Sequence, residues 1–134
     1  MTQKIIWYSD DDAENRLSEF RSVLDSLTTT IGTDFKTLSA RLGISPSHFW
    51  ALTSGQRALK ASSIFLLVDA LIQEDTVKHV EPTRFAALLF LGLTASLSIE
   101  GNRGLCTANE RECVAWCKAR TKEIRNQQLQ ENIK

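Results

Sequence analysis

The sequence predicts an all-α protein, and three observations carry that reading. Apolar residues recur at intervals of three and four along most of the chain, the spacing that gathers side chains on one face of a helix. Only 2 prolines and 6 glycines occur in 134 residues, too little turn-forming material for a many-stranded sandwich. The hydrophobic share of 43% is enough for a core, and the length suits one domain with an appendage rather than two large domains.

Residues 1–12 form an N-terminal arm in which residues 4–8 fit a short extended segment. Ser9 or one of the aspartates 10–12 is placed to cap a helix, with Glu14 in the first turn where negative charge suits the dipole. Leu17, Phe20, Val23, Leu24 and Leu27 then mark an amphipathic helix over residues 13 to about 29, stopped by a β-branched run and Gly32. Thr33 is expected to cap a short second helix with the apolar face Phe35, Leu38 and Leu42, ended by Gly43. Ser45 caps a third helix with Pro46 in its first position, where the missing N–H costs nothing, and Gly55 is expected to close it. Ser62 or Ser63 opens a fourth, to about residue 73, with Ile64, Leu67, Val68 and Leu71 facing inward. Pro82 starts a fifth, to about residue 98 and apolar nearly all round, and Thr107 with Glu110 makes a capping-box signature before a last helix over residues 109–129.

The charges cancel, 16 basic against 16 acidic, so composition alone does not announce a nucleic-acid binder. Their distribution is uneven. Residues 35–68 carry Lys36, Arg41, Arg57 and Lys60 with no acidic residue, and residues 118–125 hold Lys118, Arg120, Lys122 and Arg125 against Glu123 alone. Each basic segment reads as a solvated helix face or as an anion-binding surface.

Residues 35–54 carry the most specific pattern. Two short helices meeting at a bend need a small residue at their contact, a flexible turn and an apolar clamp. Ser39, Gly43 and the set Leu38, Leu42, Ile44, Phe49 and Leu52 supply these in order. On those residues the chain resembles the Cro and lambda-repressor class of helix-turn-helix domains over residues 15–73. Gly55, Gln56 and Arg57 stand where that class has a glycine and basic loop. The resemblance implies a lambda-repressor-like bundle of four to five helices, a DNA-binding domain over residues 13–75 and a C-terminal helical extension over residues 76–134.

The resemblance further implies that residues 45–53 form a recognition helix lying in the major groove. Ser45, Ser47, His48, Ala51 and Ser54 would then meet base edges, where Ser and His hydrogen-bond and Ala touches a thymine methyl. Lys36, Arg41, Gln56, Arg57 and Lys60 would hold phosphates of double-stranded DNA. So few phosphate partners per protomer bind weakly at physiological salt, so a homodimer on a two-fold operator is expected. The apolar fifth helix, through Leu88, Leu89, Leu91, Leu93 and Leu97, must be buried under the other helices or against a second copy, and dimerisation is the favoured expectation. The function implied is a transcriptional regulator of bacterial, phage or plasmid type. The alternative is an interaction protein on the same scaffold, binding a protein partner through Trp50 and His48.

Other chemistry is sparse. No Gly-rich phosphate loop or catalytic carboxylate pair is present, and His48 has no nucleophile beside it, so neither an enzyme nor a cofactor is expected. Cys106, Cys113 and Cys117 cannot all pair within the chain and match no standard zinc spacing, so buried reduced thiols are expected, with a redox pair as the alternative and no metal. No basic-then-apolar leader precedes Asp10, and the apolar stretch 85–99 is shorter than the roughly 20 residues of a membrane span. The expected setting is the cytoplasm, with nucleoid association when DNA is bound.

Overall fold

The computed structural model describes residues 10–54, 60–100 and 109–133, and the side chains of 17–54, 60–95 and 109–131 among them. The described residues form an all-α bundle of six helices: α1 Asp10–Ile31, α2 Phe35–Leu42, α3 Pro46–Thr53, α4 Ala61–Glu74, α5 Pro82–Glu100 and α6 Glu110–Ile133. No helix among the described residues is long and apolar enough to cross a membrane.

Helix α5 is the axis of the bundle. It packs along α1, α4 and α6, and its Phe85, Leu88 and Leu89 have no solvent exposure. Its near-uniform apolarity is thus satisfied inside one chain, each fully buried Leu or Phe contributing about 1.5 to 3 kcal/mol of transfer free energy. Gly92 permits the closest approach: a Cβ there would lie 2.7 Å from Ile64 Cγ2 and 2.8 Å from Phe20 Cε1. The side chains facing it, Phe20 from α1 and Ile64 from α4, are fully buried in the same core. That core is continuous across residue 75, joining α1 and α4 to α5 and α6.

This burial corrects the dimerisation expectation. Leu88, Leu89 and Leu93 are 0%, 0% and 6% exposed within the single chain and offer no surface to a second copy. Leu91 is half-buried against the core, and the side chain of Leu97 lies outside the described residues.

Helix α1 runs on to Ile31 because its threonines satisfy themselves locally, the hydroxyls of Thr28 and Thr30 donating to the carbonyls of Asp25 and Ser26 at 2.8 Å each. Three capping expectations change. Asp34, not Thr33, caps α2, its carboxylate accepting from Thr37 N–H at 2.7 Å. Lys60 precedes α4 without any side-chain cap, leaving Ser62 and Ser63 inside the helix. Asn109 caps α6, accepting from the N–H groups of Arg111 and Glu112 at 2.8 and 3.2 Å, so Glu110 is the first helical residue rather than the third. Ser9, Gly55, Gly101, Gly104 and Thr107 lie outside the described residues.

Helix α6 is fastened to α4 by side chains. Phe65 and Trp116 meet edge to face at 5.0 Å, Arg120 pairs with Asp69, and Gln128 donates to the Gln73 carbonyl at 3.3 Å. The connection from α4 to α5 folds around the buried Asp75 carboxylate, which accepts from the N–H groups of His79 and Val80 at 3.0 and 2.6 Å and from Arg125 at 3.2 Å. His79 adopts φ 50 there, a left-handed conformation that a histidine takes at a cost and that the two bonds to Asp75 help hold.

Candidate nucleic-acid interface

Helices α2 and α3 are joined by three residues, and each local choice in the sequence serves that turn. Gly43 sits at φ 73, which an L side chain resists, and Ile44 N–H reaches back to the Ser39 carbonyl at 3.0 Å to close the end of α2. Ser39 is 1% exposed and returns its hydroxyl to the Lys36 carbonyl at 2.8 Å, so the contact residue is both small and satisfied. Ser45 then caps α3, its Oγ accepting from His48 N–H at 3.1 Å, with Pro46 in the first turn. Phe35 and Phe49 hold the pair together with ring centroids 5.2 Å apart. Of the expected clamp, Leu38 and Phe49 are buried, while Leu42, Ile44 and Leu52 are half-buried against the core.

The outward face of α3 follows from helix geometry. Phe49 and Thr53 lie one turn apart and point inward, the Thr53 hydroxyl donating to the Phe49 carbonyl at 3.1 Å. At 100° per residue, Ser47, His48, Ala51 and Ser54 fall on the opposite face, and Trp50 on its flank. Ser47 is exposed, Ala51 and Ser54 are half-buried, and Trp50 keeps 48% of its surface in solvent. Of the five residues expected at base edges, Ser47, His48, Ala51 and Ser54 therefore share a face, with His48 half-buried, and Ser45 is occupied as the cap. Trp50, which sequence reasoning set apart as a protein contact, borders this face at its edge; the inward pair Phe49 and Thr53 was the signal that could have placed it.

The expected phosphate ligands divide. Lys36 on α2 and Lys60 before α4 are exposed. Arg41 is already engaged, its Nε and one terminal nitrogen 2.7 and 2.5 Å from Glu74 Oε2 and its other terminal nitrogen 3.0 Å from Gln73 Oε1. Gln56 and Arg57 lie outside the described residues. In the second basic segment, Arg120 and Arg125 bind Asp69 and Asp75, leaving Lys118 and Lys122 exposed. The Asp69 hydrogen bond also raises the Arg120 pKa, securing its charge.

Little else among the described residues suggests chemistry. Cys113 and Cys117 lie buried one turn apart on α6, and burial together with the neighbouring Cys113 pushes the Cys117 thiol up to about 12, so it stays protonated at neutral pH. Cys106 lies outside the described residues, and among those described no three His, Cys, Asp or Glu side chains converge as a metal set. A groove of about 930 Å³ between the ends of α4 and α6 is lined by Arg41, Gln73, His79, Arg125 and Gln128 among others, and a smaller one of about 370 Å³ lies beside Leu42 and Leu66. Comparison with protein-family models, curated proteins and solved structures finds no match for this chain.

Proposed function

We propose that this chain is a DNA-binding transcriptional regulator of bacterial, phage or plasmid type, acting by occupancy as a repressor or activator on a two-fold operator. The observation that carries the proposal is the uncommitted face of α3. Ser47, His48, Ala51 and Ser54 face away from the core on a helix fixed by the Gly43 bend and the Ser45 cap, with Trp50 exposed at the edge of that face, Lys36 exposed on α2 and Lys60 exposed before α4. A helix presented in that way suits the major groove, with serine hydroxyls for base edges and the exposed lysines of α2 and of the α4 start for phosphates. Binding as a homodimer supplies the second half-site, and the second copy is met by surface other than Leu88, Leu89 and Leu93. The protein would act in the cytoplasm, associated with the nucleoid while bound.

Fluorescence anisotropy at two salt concentrations tests this, with duplex from the gene's own upstream region and a scrambled control. Sequence-dependent binding that weakens steeply with salt is expected. Arg57→Ala or Lys60→Ala should weaken it and flatten the slope of log affinity against log salt by about one for each phosphate left without its cation. Equal, salt-insensitive behaviour of both duplexes and no selection from a random-sequence pool would remove the proposal. The 48% exposure of Trp50 favours a second reading, a protein partner docked on the same face, since an exposed tryptophan is a frequent anchor of interfaces. In that case Trp50→Ala abolishes capture of the partner, while Arg57→Ala and Lys60→Ala leave it intact.

A further inference from the structure

We infer that Glu74 occupies the guanidinium fork of Arg41 as an internal stand-in for phosphate, so that DNA engages the end of α2 by exchanging this carboxylate for a backbone phosphate; this rests on the DNA-binding proposal. The fork of an arginine accepts carboxylate and phosphate oxygens in the same geometry. In the chain alone, all three guanidinium nitrogens of Arg41 are held by the end of α4, at 2.5 to 3.0 Å from Glu74 and Gln73. No acidic residue occurs between positions 35 and 68, so the competing carboxylate comes from 33 residues away, brought there by the packing of α4 against α2.

The pairing is built to open. Arg41 keeps 41% of its side chain in solvent, where a phosphate can approach, against 18% for Glu74. When Arg41 leaves, Glu74 still accepts from the Thr33 hydroxyl at 3.2 Å through its other oxygen, and Gln73 still donates to Asp69 at 2.6 Å. Neither side chain is left without a partner, which lowers the penalty of the exchange. Until it occurs, the Glu74 charge offsets that of Arg41 and discourages loose attachment to any polyanion.

The test is anisotropy with the duplex best retained from a random-sequence pool, comparing the wild-type chain with Glu74→Gln, Arg41→Ala and the double variant. Removing an exposed ionic competitor should tighten binding by about two- to fivefold for Glu74→Gln, and the gain should vanish in the double variant. Unchanged or weaker binding by Glu74→Gln, or a gain that survives without Arg41, overturns the exchange while leaving DNA binding intact. Absence of binding by every form at low salt overturns the DNA-binding proposal itself, and the exchange with it. The wild-type chain gives a second measurement that needs no substitution: the Arg41 Nε–H resonance should move when duplex is added. Shifts of α3 resonances with that signal unmoved would overturn the exchange.

Discussion

The axis of the bundle and the α2–α3 unit are built on opposite terms. Helix α5 gives three of its faces to α1, α4 and α6, with Gly92 letting neighbours approach within van der Waals contact. Helix α3 has α2 as its main partner, buries Phe49 and Thr53, and turns its other side to solvent. The first region carries stability and has little room for change. The second is anchored through Leu38 and Phe49 and set by turn and cap chemistry, which leaves its outer surface in solvent.

The sharpest break of this contrast is truncation of a ring packed against the axis. Phe20→Ala, at a fully buried ring, should destabilise the chain by about 3 to 5 kcal/mol in urea unfolding. Gly92→Ala adds a single methyl group where Ile64 Cγ2 and Phe20 Cε1 stand 2.7 and 2.8 Å away, and should cost about 1 to 3 kcal/mol although alanine favours helices. A neutral Gly92→Ala would mean that α5 is packed more loosely than these distances state. Leu89→Glu, which would disrupt only assembly if Leu89 faced a second copy, should unfold the monomer because Leu89 has no exposure.

The same contrast explains what the sequence disclosed. Period and punctuation are local, so the helices, the left-handed Gly43 and the Ser45–Pro46 start of α3 were all legible. Cap identity was less so, because Thr33 and Asp34 are both good caps and tertiary structure took Thr33 for Glu74 instead. The burial of α5 was ambiguous for a physical reason: a helix apolar all round fits a core or an interface equally well, and only the placement of α1, α4 and α6 decides. The Arg41 pairing lay out of reach, since its partners Gln73 and Glu74 come from a different helix and no local pattern links them.

Smaller effects belong to the caps and thiols. Ser45→Ala removes the acceptor for His48 N–H and should cost about 1 kcal/mol, with loss of binding to DNA or partner larger than the stability change suggests if cap chemistry sets α3. Asp34 is held below the usual carboxylate range by the Thr37 N–H bond. Its folded pKa is lowered, so its stabilisation is present above the unfolded value near 3.8 and is lost as pH falls through the folded one. Asp34→Asn should flatten that acid limb of a pH-dependent melt. Cys117 works in the other direction. Because its folded pKa is raised to about 12, stability is full below the unfolded thiol pKa and declines as pH rises past it, and peptide-resolved alkylation at neutral pH should leave Cys117 unlabelled until the chain unfolds.

The most informative effect is expected at Trp50. With 48% of its surface in solvent, Trp50→Ala removes only the buried half of the indole and should cost about 1 to 2 kcal/mol, less than truncation of a fully buried ring. A loss of about 3 kcal/mol or more, the range of a buried ring, would place the indole in the core and dissolve the distinction between the axis and the exposed side of α3. If stability holds, the same variant bears on the occupant of the face. In a groove, Trp50 borders the face of Ser47 and Ser54 and its loss should weaken sequence-dependent binding while leaving the salt slope unchanged, because an indole neutralises no phosphate. At a protein interface it is the exposed large apolar side chain of α3, and its removal should abolish binding at any salt. The dependence on salt, measured on a single substitution that leaves the fold alone, separates the two.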